Sequence, residues 1–220
     1  MIESLGGRSR LYATLIAAFP VALSIGVLLI PILSGDGPTM LDAPSQEPGD
    51  PLRWFLGHIH TAASYGLGLL ACACIADVLY RKGERRRVVL ALPAIAIGAA
   101  LHAAGLGADG IAPIVLYGRT SLERASHLLP FYEGNDLAVG VILVGSVLFG
   151  LGLIALAFGV SRIGLLRGAW KFIVPTAAIL FVAFEAVPSG WGLYGVAVSA
   201  FLVFIPISLA LKRDHVASGK

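Results

Sequence analysis

Apolar residues fall into six long stretches divided by short polar segments, at about Leu11–Leu33, Leu52–Tyr80, Val88–Leu106 or somewhat beyond, Leu137–Val160, Phe172–Val187 and Trp191–Leu211. A hydrocarbon core about 30 Å thick takes roughly 20 helical residues to cross. The pattern therefore predicts an all-α fold: a polytopic membrane protein with a six-transmembrane-helix bundle, forming one domain over residues 1–220. The first stretch exceeds the usual core of a signal peptide and no small-residue cleavage pattern follows it, so it is read as the first helix.

The polar segments alternate in charge. Arg8 and Arg10, the run from Arg81 to Arg87, then Arg162, Arg167 and Lys171, and finally Lys212, Arg213 and Lys220 fall on one side of the predicted membrane. The opposite segments hold Asp36, Asp42, Glu47, Asp50, Glu123, Glu133 and Asp136, with Arg53, Arg119 and Arg124 as the basic exceptions. Lys and Arg in short loops stay on the cytoplasmic side. Both termini are accordingly expected in the cytoplasm, with the chain in a bacterial cytoplasmic membrane.

Composition sharpens this picture, since the chain is 57% hydrophobic and 13% charged, against about 25% charged for a soluble domain. Its mean hydropathy is +0.87. The net charge of +3 is explained by anchoring to anionic headgroups of the lipid bilayer, and no nucleic-acid partner is implied. Cys72 and Cys74, separated by one residue, stand inside an apolar helix, where a thiolate does not form readily, and read as packing residues. Small residues recur at helical spacing in Ala99, Ala103 and Gly107, in Ser146 with Gly150, and in Ala155 with Gly159, as close helix packing in lipid requires.

Candidate chemistry rests on ionisable residues inside the membrane, which are costly enough to be functional by default. Counted from the basic end at 1.5 Å per residue, His102 lies about 22 Å into helix three and Glu185 about 21 Å into helix five. Neighbouring helices would let these two groups satisfy each other. The same count puts His58 and Asp109 at about 33 Å and His60 near 30 Å, with Asp109 just beyond helix three. His127, Glu133 and Asp136 belong to the same face of the membrane. Glu185, His102 and Asp109 are thus the candidate catalytic or proton-handling residues. His58, His60 and His102 are the candidate ligands for a metal or haem. His58 and His60, two apart, point in opposite directions on a helix, so at most one joins His102 at a common site. Asp77 is placed to pair with Arg81 one turn later.

The segment from Gly107 to Asn135 is broken by Gly110, Pro113, Pro130 and Gly134 and reads as a connection along the outer interface, with a possible prolongation of helix three. The stretch Leu148-Phe149-Gly150-Leu151-Gly152, running to Ser161-Arg162-Ile163-Gly164-Leu165-Leu166-Arg167, is similar to small bacterial six-helix membrane proteins of unknown function. That resemblance implies the six-helix architecture and no activity. Neither H-E-x-x-H nor a phosphate-binding glycine loop is present. The expectation is an outward-facing polar site that binds or transports a small ligand, or is proton-coupled. The alternatives are a membrane-embedded enzyme acting on a lipophilic substrate, by a metal, by haem or by carboxylate acid catalysis, and a structural or partner-binding subunit.

Overall fold

The computed structural model describes residues 5–30, 51–117, 135–187 and 190–218. Among them are six α-helices and no strand: α1 (Leu5–Leu29), α2 (Pro51–Arg81), α3 (Arg85–Tyr117), α4 (Asn135–Arg162), α5 (Trp170–Glu185) and α6 (Gly190–Ser218). Five contain a segment long and apolar enough to cross a membrane, at Ser9–Leu29, Leu52–Arg81, Arg85–Ile111, Gly140–Arg162 and Trp191–Arg213. At 16 residues, α5 spans about 24 Å. The architecture is that of a multi-pass membrane protein.

Each helix packs antiparallel against the next, and α6 returns to α1, closing a ring; α2 also reaches across it to α4. Phe19, Tyr65, Phe149, Phe181 and Phe204, from five different helices, fill the centre and are almost wholly buried. Their rings meet mostly edge-on or tilted, with centroids 4.9–6.1 Å apart, the geometry that aromatic quadrupoles favour. Large apolar side chains on the outer surface, among them Leu90, Val89, Phe172 and Leu28, present the face that lipid would cover.

The tightest approach is between α3 and α4. A Cβ placed on Gly98 would lie 2.3 Å from the Phe149 backbone nitrogen, and one on Gly145 would lie 2.5 Å from that of His102. Only glycine permits this seam, since the atoms opposite belong to backbone and cannot rotate away. Gly150 faces Val182 of α5 and Gly159 faces Leu79 of α2, whereas Gly107 has open space around its Cβ position and so takes no part in the close packing.

At the basic end α2 closes with Gly83 at φ +96°. Hydrogen bonds from Gly83 N to Tyr80 O and from Glu84 N to Leu79 O complete the two-bond glycine cap that ends many helices. The Glu84 carboxylate then holds Arg87 at 2.9 Å and Arg162 of α4 at 3.2 Å. Asp77 pairs with Arg81 at 2.8 Å, the i, i+4 contact its spacing predicts, and also accepts a bond from the Tyr12 hydroxyl of α1.

Helix α3 takes the prolonged course, continuing through Gly107, Gly110 and Pro113 to Tyr117, so Asp109 sits inside it and not just beyond its end. The physical reason lies on α2. Proline at 113 has no N–H to give the carbonyl four residues earlier, and that carbonyl belongs to Asp109. It accepts instead from the Trp54 indole at 3.3 Å, while Gly110 lets the helix lie against His58, whose Cβ is 2.6 Å from where a side chain would begin.

Candidate functional site

Four side chains from four helices meet within the bundle. Glu185 is the last residue of α5, and its Oε1 accepts a hydrogen bond from the Tyr65 hydroxyl of α2. Its Oε2 lies 3.0 Å from Ser146 Oγ of α4. The same Oγ lies 2.7 Å from His102 Nδ1 of α3 and 2.9 Å from the Ile142 carbonyl one turn back. Tyr65, His102 and Ser146 are at most 3% exposed, and Glu185 is partly exposed.

Local structure places each group. The α3–α4 glycine seam brings the His102 backbone against Gly145, so the imidazole falls beside the next residue, Ser146. Tyr65 stacks on the imidazole with centroids 3.9 Å apart at 29°, and Phe149 meets the tyrosine edge-on at 5.2 Å. The imidazole plane is thereby fixed from one side by a ring and at its edge by a hydroxyl. The hydrogen-bond partners of the Glu185 carboxylate, Tyr65 and Ser146, are neutral donors, which is the costly arrangement for a carboxylate within a membrane protein.

The hydroxyl stands between the two titratable groups. In a Ser-His-acid nucleophile the imidazole is central, and the carboxylate orients its far nitrogen. Here the serine is central, bonded to base and acid at once. A serine has one proton and two lone pairs, so it can accept from one neighbour while donating to the other. That is the connectivity of a proton relay.

A second cluster lies nearer the end of the bundle remote from the basic residues. His58, 1% exposed, places Nε2 2.9 Å from Asp109 Oδ2 and Nδ1 2.8 Å from the Trp54 carbonyl; Trp54 stacks on the ring at 4.4 Å. Asp109 therefore meets His58, not Glu185 or His102. His60 buries an Nε2 that has no hydrogen-bond partner. Among the described residues, no group of three or more His, Cys, Asp or Glu is placed to hold a metal ion. Both nitrogens of His58 are already engaged. Asp136 is the second residue of α4, while His127 and Glu133 lie outside the described residues.

Tyr65 and Ser146 are the members that sequence reasoning passed over. Ser146 reads in the sequence as a small packing residue, and a lone tyrosine in an apolar helix carries no signal. The available hint was spacing, because Tyr65 follows His58 by seven residues and so shares its face of α2.

No family model matches this chain, and neither a curated protein nor a solved structure matches it.

Proposed function

We propose that the protein is a six-crossing membrane protein, both termini cytoplasmic, that couples proton movement to the binding or transport of a small ligand through Glu185, Ser146 and His102. The observation carrying this reading is the central hydroxyl, within hydrogen-bond distance of a carboxylate oxygen and an imidazole nitrogen on neighbouring helices. The charge sorting of the loops supports the orientation. The sixth crossing is assigned to α5, whose basic flank at Lys171 and carboxylate at Glu185 stand at opposite ends.

With Glu185 protonated, its Oε2–H donates to Ser146 Oγ, and the serine O–H donates to His102 Nδ1. The carboxylic proton passes to Oγ as the serine proton passes to Nδ1. Glu185 is left as a carboxylate accepting from Tyr65 and Ser146, and His102 becomes an imidazolium that can release its Nε2 proton. During reset the serine hydroxyl turns to the Ile142 carbonyl, already 2.9 Å away, so it never lacks an acceptor. A buried acid and imidazole exchanging a proton in this way bias the helices that carry them, here α5 against α3 and α4.

Infrared titration of purified protein in detergent, combined with nitrogen NMR of isotope-labelled histidine, tests this directly. The expected result is a carboxylic-acid band absent from Glu185→Gln, a His102 signal that changes in step with that band, and loss of the linkage in Ser146→Ala. A His102 titration identical in all three proteins would reject the relay. Flux in proteoliposomes loaded with a pH dye then distinguishes transport from binding.

A further inference from the structure

The two polar clusters occur as matched rungs. His58 and Tyr65 are seven residues apart on α2, and His102 and Asp109 are seven apart on the antiparallel α3. Seven residues are about two turns, or roughly 10.5 Å of rise, and return a side chain to the same face. One rung is therefore the His58–Asp109 pair at 2.9 Å and the other the Tyr65–His102 stack, with the same register on both helices.

The outer rung has a definite proton content. A carbonyl only accepts, so the bond between His58 Nδ1 and the Trp54 carbonyl requires Nδ1 to carry hydrogen. Nε2 then faces Asp109 in one of two ways: as an imidazolium donating to a carboxylate, or as a neutral imidazole accepting from a carboxylic acid. Either way the pair holds one labile proton. Its removal sets two lone pairs against each other. Asp109 is 15% exposed on its side chain, which gives the rung an edge toward the surface.

Thr61 stands between the rungs. It follows His58 by three residues on the same face of α2, is 3% exposed, and its Oγ1 has no hydrogen-bond partner. The hydroxyl lies at the α1 seam, where the Cβ that Gly26 lacks would stand 2.4 Å from it. A buried hydroxyl without a partner is expensive, and with one proton and two lone pairs uncommitted it can receive and pass on a proton in transit.

We propose that His58 and Asp109 form a proton-binding station in series with the Glu185–Ser146–His102 relay, and that the Thr61 hydroxyl carries the connection between them. A proton from the outer solution binds at the Asp109 side of the pair as the pair's own proton passes to the Thr61 hydroxyl; the hydroxyl gives up the proton it held, which the Glu185 carboxylate takes up, so one proton arrives for each one passed on. The groups facing the station leave this role to the pair itself. On α2, Trp54 gives only its carbonyl and ring, Arg53 donates to the Leu28 and Leu29 carbonyls of α1, and His60 lies on the far side of the helix. On α3, Gly110 packs on the His58 Cβ, and α1 presents Gly26 and Ile30 to this stretch of α2. Among the described residues no ionisable side chain of α1 or α4 bonds to the pair.

This inference rests on the relay reading, and its test is kinetic so that the two fail separately. In wild-type protein in detergent, a flash-released caged proton lowers the pH, and the infrared band of the protonated Glu185 carboxyl is followed in time. Asp109→Asn keeps a hydrogen bond to Nε2 through its amide yet binds no labile proton, and Thr61→Val removes only the hydroxyl. Both variants are expected to reach the wild-type final amplitude about a hundredfold more slowly, the scale of losing a positioned proton-transfer group. Nitrogen NMR of the wild-type protein, which needs no variant to fold, is expected to show His58 with Nδ1 protonated throughout. Either variant filling Glu185 at the wild-type rate, or His58 found as the Nε2–H tautomer, overturns the station while leaving the relay standing. A Glu185 band that never moves the His102 signal rejects the relay itself and the series with it.

Discussion

Adding one methyl group at Gly145 is expected to damage stability and site together. Its Cβ would sit 2.5 Å from the His102 nitrogen and 2.8 Å from the Gly98 carbonyl oxygen, where ordinary contact begins at 3.4 Å. Both obstacles are backbone, so α3 and α4 must separate by about 0.9 Å. Overpacking of this kind costs typically 1–3 kcal/mol, and rigid backbone places this case near the top. The better helix propensity of alanine returns about 1 kcal/mol. The same displacement lengthens the 2.7 Å bond from His102 to Ser146 to about 3.6 Å, where it no longer counts as a hydrogen bond, adding about 1 kcal/mol. The net loss for Gly145→Ala is then about 3 kcal/mol. Gly107→Ala is the matched control: nothing lies within 4 Å of its Cβ position, so only the gain of about 1 kcal/mol remains. Equilibrium unfolding in mixed micelles reads the difference, and the His102 NMR titration reads the site. A Gly145→Ala protein no less stable than Gly107→Ala would refute the seam.

Other outcomes follow from single contacts. Tyr65→Phe removes one of the two neutral donors to Glu185, with an expected loss of about 1–3 kcal/mol in equilibrium unfolding; an unchanged stability would place the tyrosine bond elsewhere. Trp54→Phe frees the Asp109 carbonyl and is expected to cost about 1 kcal/mol less in a Pro113→Ala background, where an N–H returns; a double-mutant cycle with no coupling would reject the indole as a substitute donor. Thr61→Val is expected to unfold no earlier than wild type in a thermal melt, since it removes a buried hydroxyl lacking a partner; clear destabilisation would mean that Oγ1 is well satisfied.

The helices were legible because lipid imposes length and apolarity on any crossing segment, and the pairing of Asp77 with Arg81 followed from helical spacing alone. Depth counting brought His102 and Glu185 to one level of the membrane, and in the fold they are joined through Ser146. What counting could not supply was azimuth. Whether Asp109 turns to His58 or to Glu185 depends on which helices adjoin and how each is rotated, and that is decided by seams such as Gly98 with Gly145. The end of α3 was obscured for a related reason. Gly110 and Pro113 read locally as breakers, and the groups that offset them, Trp54 and His58, come from a different helix.

The α3–α4 seam also governs how the chain tolerates change. In lipid two helices gain little by hiding apolar area from one another, so complementary shape draws them together. Where backbones touch, as at Gly98 and Gly145, a single carbon has no place to go. The lipid-facing positions on the same helices, such as Leu90, Ile97 and Leu151, need only remain oily. A mutational scan across these helices would therefore trace a narrow intolerant line of the smallest residues beside a broad permissive face of large ones, the reverse of the pattern in a water-soluble core.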